Sequence, residues 1–196
     1  MSDTPFDFLP RLTVVAGRPG SGKTTLAHAL ARSIRCPAVC RDEIKEGLVN
    51  SLTSEAAPTD AAQRHASDVF FRTLELLLGN GVTLVAEAAF QHAVWAPRLG
   101  PLLAIAQTRI IMCSVDAELA RQRHVARGLA DPQRERFHPD RAVNAAGERS
   151  ALSIASFHPP RLDVPTLVVD TTDGYRPELE RIIAFAREED GDCVEG

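Results

Sequence analysis

Lysine is almost missing from this chain. Twenty arginines carry its positive charge beside only two lysines, Lys23 and Lys45. The formal net charge is −4, so the surface as a whole does not advertise nucleic acid or an anionic membrane as a partner. Aromatic residues are scarce, at 5%. No apolar run approaches the ~20 residues needed to cross a bilayer. The first residues, MSDTPFDFLPR, lack a basic stretch followed by an apolar one, so we expect a cytoplasmic protein without a membrane partner. Cys36, Cys40, Cys113 and Cys193 fit neither a disulfide framework nor a zinc-ligand spacing, and reduced structural roles are expected for them. The six histidines form no ligand pair at helical spacing.

What is present is ordinary in amount and specific in place. Hydrophobic content of 44% and charged content of 24% over 196 residues suit one domain with a substantial core. Residues Gly17, Arg18, Pro19, Gly20, Ser21, Gly22, Lys23 and Thr24 spell G-x-x-x-x-G-K-T, the pattern of a phosphate-cradling loop. Glycines let consecutive N–H groups turn toward an anion. Lys23 reaches the β- and γ-phosphates, and the Thr24 hydroxyl is a ligand for the Mg²⁺ they carry. Leu12–Ala16 before the loop reads as a buried strand. Thr24–Ile34 after it reads as an Ala/Leu-rich helix whose N-terminal amides, those near Thr25 included, face the same anion. ATP with Mg²⁺ is the expected ligand.

Further strands are expected at 37–40, 82–86, 109–114 and 166–169. Helices are expected at 46–51, 61–78, 116–127 and 177–187, with a region broken at Pro97 and Gly100-Pro101. Val69, Phe70, Leu74 and Leu77 should share the core face of the long helix, which Asn80-Gly81 ends. Alternation of apolar strands with helices means an α/β fold, a parallel sheet covered on both faces. Ligands gather at the carboxyl ends of such strands. The informative residues are therefore the loop, Asp42, Glu87, Asp116 and Asp170. We expect a single domain over 1–196, with an Arg-rich lid at about 121–160 and loose ends at about 1–10 and 188–196.

Absences sort the chemistry. The chain has no N-K-x-D or D-x-x-G segment of a GTPase and no L-S-G-G-Q of a transporter ATPase, and its third strand ends Ala-Glu-Ala-Ala where motors often have Asp-Glu. A compact kinase remains. The loop, the segment Arg41-Asp42-Glu43-Ile44-Lys45, the Arg-rich stretch after strand four and the Val169-Asp170-Thr171-Thr172 strand end together resemble the small P-loop kinases of the AAA_33 type. That group is similar to 5′-hydroxyl polynucleotide kinase, chloramphenicol phosphotransferase and the zeta-toxin kinases.

The resemblance, over roughly residues 11–187, implies a three-layer P-loop fold with strand order 2-3-1-4-5. It implies Asp42 as the base that takes the acceptor's proton, with Glu43 as a rival and helix capping as the plain alternative. Arg41 and Lys45 would contact the acceptor, although Lys45 stands where the polynucleotide kinases have an arginine. Glu87 would hold the metal's water shell or the acceptor, and a structural pairing is open to it. Arg123 and Arg127, one helical turn apart, would bridge the transferring phosphoryl oxygens; Arg121, Arg134, Arg136 and Arg141 are further candidates. Phe90, Gln91, His92 and Trp95 stand beside the acceptor, with packing the simpler role for His92 and Trp95. Asp170 and Thr171 open the loop under the base. The acceptor is expected to be a small hydroxyl-bearing molecule; a nucleic-acid 5′ end, or nucleotide binding without transfer, are the other readings.

Overall fold

The computed structural model describes residues 9–51, 60–130 and 157–188. Five strands, β1 (Arg11–Gly17), β2 (Ala38–Cys40), β3 (Leu84–Ala88), β4 (Gln107–Ser114) and β5 (Thr166–Asp170), lie in the order β2-β3-β1-β4-β5. All four pairings are parallel. Among the described residues the helices are α1 (Lys23–Ile34), α2 (Arg41–Asn50), α3 (Asp60–Gly79), α4 (His92–Leu103), α5 (Ala117–Ala130) and α6 (Leu179–Arg187).

The alternation of side chains along β1 sets up the layers. Leu12, Val14 and Ala16 face one core, with Phe70, Phe71 and Leu74 of α3 and Trp95, Leu99 and Leu102 of α4. Val15 faces the other, with Leu26, Ala27 and Leu30 of α1 and Ile182 and Phe185 of α6. Each fully buried leucine contributes ~1.5–3 kcal/mol of transfer free energy. The central strand β1 buries six of its seven residues, whereas the edge strand β5 fully buries only Val169.

Three local expectations change. The helix α2 begins at Arg41, directly after β2, rather than at Glu46; Cys40 is at once the last strand residue and the N-cap. Pro97 and Pro101 do not break α4. Burial of Trp95, Leu99 and Leu102 on one side outweighs the two backbone hydrogen bonds the prolines forgo. In α3 the buried face is Ala66, Phe70, Phe71, Leu74 and Leu78, turned by about one residue from the expected set, and Val69 is only half-buried. The stop at Asn80-Gly81 stands: Gly81 has φ 77° and its N–H bonds Leu78 O at 2.9 Å.

The ends are tied further out than expected. Gln107 N–H donates to Pro10 O at 2.9 Å, and Glu188 pairs with Arg109 at 2.8 Å. Arg134, Arg136, Arg141 and most of the expected lid lie outside the described residues.

Candidate active site

The loop leaves the buried end of β1 and turns over α5. Gly20 has φ +81°, and a Cβ there would collide with the main-chain carbonyl oxygen of Ala120. Gly22, at φ 75° and ψ 5°, is the left-handed N-cap of α1. Both positions therefore demand glycine. Ser21 N–H donates to Arg18 O at 3.1 Å, closing the turn. Ser21 is fully buried and its Oγ has no hydrogen-bond partner. Arg18 and Pro19 are half-buried, and Thr25 is exposed.

Thr171 latches this loop from the far side. Its hydroxyl oxygen lies 2.8 Å from Ser21 O and 3.1 Å from Ser114 O, within donating reach of both, and its N–H bonds Ser114 O at 2.9 Å. The loop, the end of β4 and the end of β5 are thereby joined at one buried side chain. Asp170 accepts from Thr172 N–H at 2.7 Å, and hydrogen bonds from the Thr172 hydroxyl first and its N–H second hold the Asp170 carboxyl below the usual carboxylate range.

Glu87, on β3 next to β1, faces the start of α1. It is 2% exposed, accepts from the Thr24 hydroxyl at Oε2 (3.0 Å), and lies 3.4 Å from Lys23 Nζ at Oε1. A buried carboxylate, an alcohol and an ammonium converge there from two strands' worth of sequence. The donor set, a hydroxyl and a carboxylate, is all oxygen and suits Mg²⁺, with water completing its shell. Thr24 and Glu87 fit that ion, and the unsatisfied Ser21 Oγ lies in the same loop.

Cys40 pairs in register with Glu87 across β2 and β3, so Asp42 stands two residues beyond that point, in the first turn of α2. It does not cap the helix: Cys40 occupies the N-cap and no side chain bonds there. Asp42 accepts from Arg41 Nη1 at 3.0 Å and is about half exposed. Arg41 is held on its other side by Gln63, at 2.8 Å to Oε1 and 3.0 Å to the carbonyl, with its guanidinium 5.9 Å from the Phe90 ring. Gln63 carried no signal in the sequence; a polar residue on the exposed-looking turn of a helix is usually solvated. Lys45 is 3% exposed, which is unusual for a lysine.

Burial and acidic neighbours shape the thiols. Cys40 is pushed well above the usual thiol range by burial first, then by Glu87, Glu43 and Asp42. Burial raises Cys113 to about 12 and Cys36 to about 11. None of them is a ready nucleophile.

The remaining candidates separate. Arg123 donates to Thr171 O at 2.9 Å and to Thr172 O at 2.6 Å, so its guanidinium clasps the β5–α6 loop. Arg127 is exposed on the last turn of α5. Arg121 pairs with Glu118 at 2.6 Å. Asp116 caps α5, accepting from Glu118 N–H at 2.9 Å and Leu119 N–H at 3.2 Å. Trp95 packs against Phe70, Phe71 and Phe90 in the core. His92 Nδ1 accepts from Arg161 N–H at 3.0 Å.

The AAA_33 profile, an AAA domain, matches residues 12–151, a span that holds the loop, Glu87, Asp42 and α5. The chain belongs to the AAA_33 family. No curated protein matches the sequence. Among solved structures, a presumed kinase from Chloroflexus aurantiacus is 25% identical with a TM-score of 0.72, over 92% of this chain and 98% of that one. Shikimate kinase from Acinetobacter baumannii, in complex with shikimate, is 16% identical with a TM-score of 0.56, over 96% and 98%. A chain of the Pnkp1/Rnl/Hen1 RNA repair complex is 19% identical with a TM-score of 0.54, over 67% and 42%. This AAA_33 chain thus has the fold of the small P-loop kinases, and no helix of its described residues is long and apolar enough to cross a membrane.

Proposed function

We propose that the protein transfers the γ-phosphoryl group of ATP to a hydroxyl of a small molecule. The observation that carries the reading is the meeting of Thr24, Lys23 and Glu87 at the loop, with Asp42 two residues past the strand position paired to Glu87. The loop amides and Lys23 hold the triphosphate. Mg²⁺, held by Thr24 and by Glu87 directly or through water, would neutralise charge on the transferring oxygens.

Asp42 accepts the acceptor's hydroxyl proton as the oxygen–phosphorus bond forms and the bond from γ-phosphorus to the β–γ bridging oxygen breaks. ADP and the phosphorylated acceptor leave. Arg41, pinned by Gln63 and Asp42, holds that carboxylate in place, and with Lys45 it forms the cationic side of the acceptor region. Cationic groups there favour an acceptor bearing a carboxylate or phosphate as well as its hydroxyl. Arg127 is the lid candidate for the transferring oxygens. Arg123, as clasped, orders the loop beneath the base.

The test is transfer from γ-labelled ATP to a panel of small alcohols, with and without anionic groups, and to 5′-hydroxyl oligonucleotides. Label on small alcohols is expected. Label on the oligonucleotides alone replaces the acceptor class, and slow hydrolysis with no labelled acceptor of either kind overturns the transfer reading.

A further inference from the structure

Outside the phosphate site, three ligand-type side chains from three elements converge. His28 lies on α1, Cys40 ends β2 and Glu43 opens α2. His28 Nε2 is 2.6 Å from Glu43 Oε1 and 3.7 Å from Cys40 Sγ. All three ligand atoms fall within 4.8 Å of one another. His28 and Glu43 are fifteen residues apart in sequence with β2 between them, so no ligand spacing is visible along the chain.

We propose that His28, Cys40 and Glu43 form a site for a borderline transition-metal ion, Zn²⁺ by ligand chemistry. One thiolate, one imidazole and one carboxylate is a donor set that such an ion takes and that Mg²⁺ does not. A tetrahedral Zn²⁺ with sulfur at about 2.3 Å and nitrogen and oxygen at about 2.0–2.1 Å sets its ligand atoms roughly 3.3–3.6 Å apart. The sulfur–nitrogen separation already matches. The nitrogen–oxygen separation must open by less than an ångström, a small rotation for the exposed Glu43 side chain.

Within the cluster Nε2 serves one neighbour at a time: when Nε2–H donates to Glu43, that nitrogen has no lone pair left for the Cys40 thiol, whose hydrogen bond then goes to Glu87. A cation engages all three ligand atoms at once. The way in is open, because His28 and Glu43 are 38% and 51% exposed while Cys40, 2% exposed, forms the floor. The charges balance: a divalent ion meets one thiolate and one carboxylate, and the Cys40 proton leaves to solvent. Water takes the fourth position. Occupancy ties α1 to the junction of β2 and α2.

The experiment is Co²⁺ titration of the tag-free, full-length protein under reducing conditions, followed by Zn²⁺ competition. A thiolate-to-cobalt charge-transfer band with tetrahedral d–d absorption is expected, and Zn²⁺ but not Mg²⁺ should erase it. His28→Asn should weaken binding at least tenfold, and Glu43→Gln should weaken it less. Cys40→Ser should abolish the band while Cys36→Ser keeps it. Zn²⁺ should raise the melting temperature of the wild type and not that of His28→Asn, a half-exposed position whose replacement spares the fold. No band at saturating Co²⁺, a band that survives Cys40→Ser, or unchanged affinity in His28→Asn overturns the site.

Discussion

The Thr24 hydroxyl donates to Glu87 Oε2 at 3.0 Å, while the other oxygen of the same carboxylate lies 3.4 Å from Lys23. Glu87 thus supplies Lys23 with the counter-charge that the phosphates of ATP would supply in the proposed reaction. Removing it as Glu87→Ala leaves a nearly buried ammonium unpaired, at a cost of about 3 kcal/mol. Melting should fall by roughly 10 °C in the free protein. ATP should restore much of that loss, because its phosphates pair Lys23 instead. Calorimetry with and without ATP checks this; an equal loss in both states refutes it.

Lys23→Ala is expected to abolish nucleotide turnover while leaving the fold intact. Normal turnover in that variant would remove the loop from the reaction.

Asp42→Asn tests the base. Because Cys40 occupies the N-cap of α2, the substitution costs no N-cap bond; it forfeits a helix-dipole interaction of about 0.3–1 kcal/mol and weakens the Arg41 pair. A base would instead lose about two to four powers of ten in transfer rate. A rate within threefold of wild type assigns the proton elsewhere, Glu43 first.

Arg123 donates to the carbonyls of Thr171 and Thr172, and Lys at that position cannot span both. Arg123→Lys should raise KM for ATP severalfold with kcat nearly kept, if the residue orders the loop. A fall in kcat with KM kept would place its charge on the transferring phosphoryl instead.

The buried thiols give the protein an alkaline limit. Cys113 stays protonated to about 12 and Cys36 to about 11 in the folded chain, whereas both ionise near 9.0 when unfolded. A raised folded pKa contributes stability that is complete below pH 9 and is lost above it. Cys113, the more deeply buried, steepens that loss by up to about 1.4 kcal/mol per pH unit, and the half-exposed Cys36 by less. Denaturant midpoints measured from pH 8 to 10.5 should fall less steeply in Cys113→Ala than in the wild type; parallel curves refute the assignment.

The loop, its strand and its helix are legible in the sequence because each is encoded twice, by glycine pattern and by apolar period. The strand ends are legible for the same reason. Two errors share a cause. The prolines of α4 and the start of α2 read as breaks because local propensity is visible in a sequence, while burial of Trp95 and the direct strand-to-helix joint at Cys40 are not. The strand end and its place under the base single out Thr171, but its latch on Ser21, which spans 150 residues, is not legible in the sequence. His28 gave no signal at all, since its neighbours Cys40 and Glu43 meet it only once β2 is laid beside β3.

The joint at Cys40 has one more consequence. With no connecting residues between strand and helix, Asp42 takes its position from the sheet and has no hinge of its own. In the proposed reaction, a base placed this way would keep its station whichever alcohol enters, because moving it would mean moving the strand itself.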